Sequence, residues 1–194
     1  MKETNFILLG LQRLVPNARF SGPVQPANQL SFDALVWNDL RPKPSWTDIE
    51  SEAKNYLREE IYRQVNIAKE IMIVTATTVT ISSGTFEFDS DAGSREAVRE
   101  TEENYDVVVA DAAAAGITPF TWRTADNLDV VVTQADLLLI RNAIRASWIT
   151  AHAISRVIKD AVEAGADPPD PSLVSLFGLD QQLINMVTVE PNVV

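Results

Sequence analysis

The sequence predicts an α+β fold: two β-hairpin-plus-helix units packed together, with long helices and a small N-terminal helix–hairpin module. Two patterns carry this reading. From Thr78 to Gly165 a hairpin, a helix, a second hairpin and a long helix follow in order, as if one αβ unit were written twice. Before it, apolar residues from Ile49 to Met72 recur in steps of three and four, the period of a helix. The chain has 194 residues, 46% of them hydrophobic, which is enough for a packed core.

Phe6, Leu9, Leu11 and Leu14 place a short helix from about Asn5 to Leu14, ended by Pro16-Asn17. Extended runs are expected over Ala18 to Ser21 and Leu30 to Trp37, around the loop SGPVQPANQ. Arg41-Pro42-Lys43-Pro44 is a stiff joint, because a residue before proline avoids the helical region. Boundaries are therefore placed to give a module over 1–44, a connecting helix over 45–74, a hairpin/helix repeat domain over 75–165, and a linker with an apolar tail over 166–194. Ser45 or Thr47 caps the connecting helix, which reads as an amphipathic helix on the next domain or as a coiled-coil arm.

The first hairpin, Thr78 to Asp89, turns at Ser82-Ser83-Gly84. One helix is expected from Asp91 or Ser94 to Ala115, with Gly116 as its C-terminal cap and Val98, Thr101, Tyr105, Val108, Val109 and Ala112 facing inward. The second hairpin, Phe120 to Thr133, turns at Ala125-Asp126-Asn127. Thr133 and Asp136 form a capping box for the last helix. Its inward face runs through Leu137, Ile140, Ile144, Trp148, Ala151, Ile154 and Ile158. If Trp148 is buried there, its replacement by alanine costs about 3–5 kcal/mol.

Composition narrows the chemistry. A formal charge of -11 opposes a phosphate backbone, and no clustered Lys/Arg face is visible, so no nucleic-acid partner is expected. The absence of cysteine removes disulfides, thiolate metal sites and cysteine catalysis. The N-terminal apolar run is broken by Gln12 and Arg13, so it does not read as a signal peptide. No apolar stretch approaches the roughly 20 residues needed to span a bilayer, so no membrane partner is expected.

The candidate sites have plain structural readings. His152, the only histidine, lacks a nucleophile pattern around it and reads as a packed or partner-facing side chain. Asp89-Ser90-Asp91-Ala92-Gly93 opens like a calcium loop, but its glycine falls one step early and no downstream glutamate occurs at the required distance; a helix N-cap accounts for it. Asp126-Asn127-Leu128-Asp129 is turn chemistry, and Glu100, Glu102 and Glu103 are a solvated face. Trp37, Trp46, Trp122 and Trp148 are spread over separate modules and read as anchors, not as a sugar platform. No catalytic residue, cofactor or metal site is expected. A small hydrolase using Asp126, Asp129 and His152 is the remote alternative.

From Thr78 to Gly165 the chain resembles a domain-of-unknown-function family common in tailed bacteriophages, in or beside tail-fibre and fibre-assembly proteins. The matching residues are Phe88, Asp91 and Ser94, the alanine-rich helix Ala110 to Ala115, and Trp122 with Asp126 and Asn127. Thr133 and Asp136 match next, then Trp148, Ala151, His152 and Lys159-Asp160-Ala161. The N-terminal region is similar to a small phage tail-region module through Leu14, Pro16, Ala18 and Phe20, then Leu35, Trp37, Pro42, Pro44 and Ser45. Its loop SGPVQPANQLSFDA departs from that pattern by carrying prolines where an acidic turn belongs.

The resemblance implies a non-enzymatic component of a phage tail, at or near the fibres or baseplate, which docks on other tail proteins and is oligomeric. The expected place is the virion tail, after synthesis in the host cytoplasm. A tail-fibre assembly chaperone is the alternative. The expected docking element is the C-terminal tail, where Leu173, Leu176, Phe177, Leu183, Ile184 and Met186 would form an exposed patch once Pro168, Pro169 and Pro171 detach it.

Overall fold

The structure, a computed structural model, describes residues 5–165 and 168–188. The start of the expected linker, Ala166-Asp167, and the end of the tail from Val189 lie outside the described residues. The fold is α+β, with long helices and small two-stranded antiparallel sheets. The chain packs as two units, residues 1–65 with 158–194, and residues 66–157. This division differs from boundaries at 44, 74 and 165 because helices α3 (Trp46–Val74) and α6 (Gln134–Ala164) each contribute residues to both units.

In the first unit, Asn5 caps α1 (Phe6–Leu14) by accepting from the Leu8 N–H at 3.1 Å. Strand β1 (Phe20–Ser21) pairs with β2 (Val36–Trp37). Between them Asn28 caps α2 (Gln29–Asp33), so Leu30 to Trp37 is not one extended run. The asparagine side chain accepts from the Ser31 N–H at 3.0 Å and starts a helix where apolar alternation suggested a strand. The Lys43 ammonium donates to the carbonyls of Phe32, Asp33 and Leu35 at 2.8, 3.3 and 3.2 Å, tying the Pro42–Pro44 joint to the end of α2. Ile7, Leu11, Phe32, Leu35 and Ile49 form the core here. Gly10 lets α1 approach α3 closely, since a Cβ at that position would lie 2.4 Å from the Ile49 carbonyl oxygen.

Helix α3 opens with a capping box: the Asp48 N–H donates to Ser45 Oγ at 3.1 Å, and Ser45 Oγ donates back to the Asp48 carboxylate at 2.6 Å. Ile49, Ala53, Leu57, Ile61 and Val65 are all buried, so this stretch of the stripe is satisfied inside the protein. It is not a free arm.

In the second unit, β3 (Thr77–Ile81) and β4 (Gly84–Phe88) form one hairpin around Ser82-Ser83. Strands β5 (Thr121–Arg123) and β6 (Asp129–Val131) form the other. Its turn contains Asn127 at φ 63°, a conformation asparagine tolerates. The hairpins remain separate sheets, and the Ala125 N–H donates to the Glu87 carbonyl at 2.8 Å. Val79, Ile81, Phe88, Val98, Val130, Val132, Leu137, Ile140 and Ile144 form one core between hairpins and helices.

The expected single helix from Asp91 to Ala115 is two, α4 (Ala92–Glu103) and α5 (Tyr105–Ala114). The Asn104 side chain donates to the Glu100 carbonyl at 2.9 Å, competing with the helical backbone. Glu100, Glu102 and Glu103 crowd the negative end of the α4 dipole and add to the break. Helix α5 ends as expected, with Gly116 at φ 81° and the Ile117 N–H donating back to the Ala112 carbonyl at 2.9 Å.

Asp136 joins the first hairpin to the start of α6. Its carboxylate accepts from the N–H and Oγ of Ser82 at 2.8 and 2.7 Å, and from the N–H and Oγ of Thr133 at 2.9 and 2.8 Å. Burial pushes this carboxyl up, but the hydrogen bonds from Ser82 and Thr133 outweigh it and bring the pKa down to about 2.

Candidate functional site

The C-terminal tail does not present the expected patch. Asp170 caps α7 (Pro171–Leu176), accepting from the Ser172 N–H at 2.8 Å, with Pro171 at the first helical position. The proline there starts a helix; it does not cut the tail loose. Gly178 at φ 63° closes α7, and α8 (Gln181–Thr188) comes after it. Phe177 and Ile184 are buried, Leu173, Leu183 and Met186 are half-buried, and only Leu176 is exposed. Helices α7 and α8 pack against each other within the first unit.

Helix α6 presents two apolar faces. One fills the core, through Leu137, Ile140, Ile144, Ala151 and Ile154. On the opposite side Leu138, Leu139, Ile149 and Val157 stand 44, 49, 49 and 47% exposed, with exposed Ala146 and Ala153 between them. Leu139, Asn142, Ala146, Ile149 and Ala153 keep the three-and-four spacing of a helix–helix seam, apolar except at Asn142. The stronger stripe dominates the sequence pattern and hides this one.

Trp148 lies on the flank between these faces and is 39% exposed, not buried as expected. Its ring meets His152 at 4.3 Å between centroids, and the Arg95 guanidinium lies 5.9 Å from its centre. Trp148 also helps line a cleft of about 280 Å³ framed by α4 and α6. Its floor is Val98 and Ile144, and its rim carries the guanidinium groups of Arg95 and Arg99 from α4 and of Arg141 and Arg145 from α6. These arginines form a basic cluster that is not visible along the chain. The signal is present as two arginine pairs four residues apart, since that spacing puts both members on one helix face.

Two of the arginines are engaged: Arg141 binds Glu102 at 2.7 Å and Glu103 at 3.3 Å, and Arg99 binds Glu96. Among the described residues, Arg95 and Arg145 make no ion pair.

A second cleft, about 500 Å³, runs along α4 past Val108 and is lined by Phe88, Phe120 and Trp122. Its Arg123 is held by Asp129 at 2.8 Å.

The remaining candidates take structural roles. Asp91 caps α4, accepting from the Gly93 and Ser94 N–H groups at 2.7 and 3.1 Å, and these bonds with the Ser94 hydroxyl hold its carboxyl below the usual range. Asp126 accepts from the Thr124 hydroxyl inside the second turn, and Asp129 pairs with Arg123. Asp126, Asp129 and His152 thus each engage a different neighbour: Thr124, Arg123 and Trp148. Among the described residues there is no grouping of three or more His, Cys, Asp or Glu side chains able to hold a metal ion, and no helix is long and apolar enough to cross a membrane.

Residues 56–174 match the family described as "Domain of unknown function (DUF4376)", and the chain belongs to that family. No curated protein and no solved structure matches the chain.

Proposed function

We propose that this member of the DUF4376 family is a non-enzymatic docking subunit of a bacteriophage tail, acting at or near the fibres or baseplate. The observation that carries the docking reading is the outer face of α6, where an apolar row stands in solvent on a helix whose core face is already filled. An exposed apolar row of this kind, interrupted by Asn142, is what a protein partner covers. The exposed Trp148 beside it adds an amphipathic anchor of the type enriched at interface centres. The phage tail setting rests on the resemblance from Phe88 through Lys159-Asp160-Ala161 and on the N-terminal similarity from Leu14 to Ser45.

Mass spectrometry of purified particles tests this. The expected result is the chain at a fixed copy number in the virion, with Ile149→Glu abolishing incorporation while the isolated protein stays folded. A chain that is absent from particles but co-purifies with unassembled fibre protein is an assembly chaperone instead. A chain that associates with neither overturns the proposal.

A further inference from the structure

We infer that the arginine cleft between α4 and α6 binds an acidic, partly apolar segment of a partner protein, one carboxylate engaging Arg95 and Arg145 while a neighbouring apolar side chain lies against Trp148. This rests on the docking reading and names the chemistry of what docks.

Arginine pairs on exposed helices usually serve local ion pairs, and Arg99 and Arg141 do so. Arg95 and Arg145 differ. They bring two positive charges, without ion-pair partners among the described residues, to the rim of a cleft in a chain of net charge -11. Arg95 is placed toward the face of Trp148, where its planar group can stack while its edge still offers donors to a carboxylate. The floor, Val98 and Ile144, is apolar and offers a bound ion no competing acceptor. Arginine and tryptophan at a small apolar hollow are the residue types that dominate binding energy at protein interfaces.

The surroundings select among anions. Glu96, Glu102 and Glu103 pair with Arg99 and Arg141 and already neutralise part of the charge, which leaves a field suited to single carboxylates. A polyphosphate or nucleic-acid backbone would meet those acids and the net negative charge of the protein. A volume of about 280 Å³ matches a few side chains. The arginine–glutamate contacts at the rim also show how an incoming acidic segment would be held, by charge-assisted hydrogen bonds from guanidinium edges.

The test uses the full chain, a synthetic pentapeptide alternating glutamate and leucine, its glutamine–leucine counterpart, and inorganic phosphate. Binding is read from the four tryptophan indole N–H signals by NMR. The glutamate peptide should shift the Trp148 signal saturably. The glutamine peptide, and the glutamate peptide with Arg145→Gln or Arg95→Gln, should bind about tenfold more weakly or worse. Equal binding of the two peptides would leave only an apolar groove, and phosphate competing more strongly than the peptide would make the cleft a phosphate site. No Trp148 shift at millimolar peptide, or unchanged affinity in both arginine variants, also overturns the assignment. Peptide binding by a protein absent from virions would sink the tail reading alone; virion incorporation without peptide binding would sink the cleft alone.

Discussion

Helix α6 runs unbroken for 31 residues after its hairpin, whereas the helix after the first hairpin stops at Asn104 and resumes as α5. Both begin with an acidic cap, Asp91 in one case and Asp136 paired with Thr133 in the other. Beyond the caps they diverge. α6 keeps a coherent stripe of isoleucine and leucine in the core, while α4 buries only Val98 and α5 buries nothing fully. The continuous helix is the one with a continuous buried stripe, and the interrupted one breaks at Asn104, where little burial opposes the local side-chain bond.

The largest test of that contrast replaces a core residue of α6. Ile140→Ala should lower unfolding free energy by about 2–5 kcal/mol in urea titration, while Val107→Ala on α5, at 62% exposure, should stay within about 0.5 kcal/mol. Comparable losses would mean α5 carries core weight after all.

Asp136 comes next. Asp136→Asn should cost about 2–3 kcal/mol, since its four donors lose a buried charged acceptor. Its folded pKa of about 2 lies below the ordinary 3.8, so its stabilisation is complete above that ordinary value. It is lost as pH falls through about 2, and the native-minus-variant stability difference should shrink over that window. A difference that is flat with pH would show that the carboxylate charge is not what Ser82 and Thr133 stabilise.

Asp91→Ala, removing the cap of the shorter helix, should cost about 1 kcal/mol by the same titration. If the loss equals that of Asp136→Asn, the two starts are equivalent and the comparison fails. Smallest is Trp148→Ala, about 1 kcal/mol or less, because its ring contacts lie at a partly exposed flank. A loss of 3 kcal/mol or more would restore the buried reading.

These differences trace what is legible in the chain. The hairpins are readable because Ser82-Ser83-Gly84 and Ala125-Asp126-Asn127 are turn residues between β-branched runs. The Thr133/Asp136 box is readable as well, but its hold on Ser82 is not, since that bond joins positions 54 residues apart. Leu30 to Trp37 misleads because Asn28 chooses helix through one side-chain bond that hydrophobic periodicity does not encode. Trp148 falls on the inward stripe only when that stripe is drawn slightly too wide. The arginine cleft is hidden because each pair is ordinary alone; packing α4 against α6 brings the pairs together.

Gly10 has a use beyond close packing. Because any added side chain would press on the Ile49 backbone, Gly10→Ala is a lesion aimed at the first unit without altering a residue of the second. Hydrogen exchange on that variant therefore reports cooperativity. If protection falls only around α1 and the start of α3, the two units open as separate foldons. If Val79, Ile140 and their neighbours lose protection equally, α3 and α6 transmit the damage and the chain melts as one body.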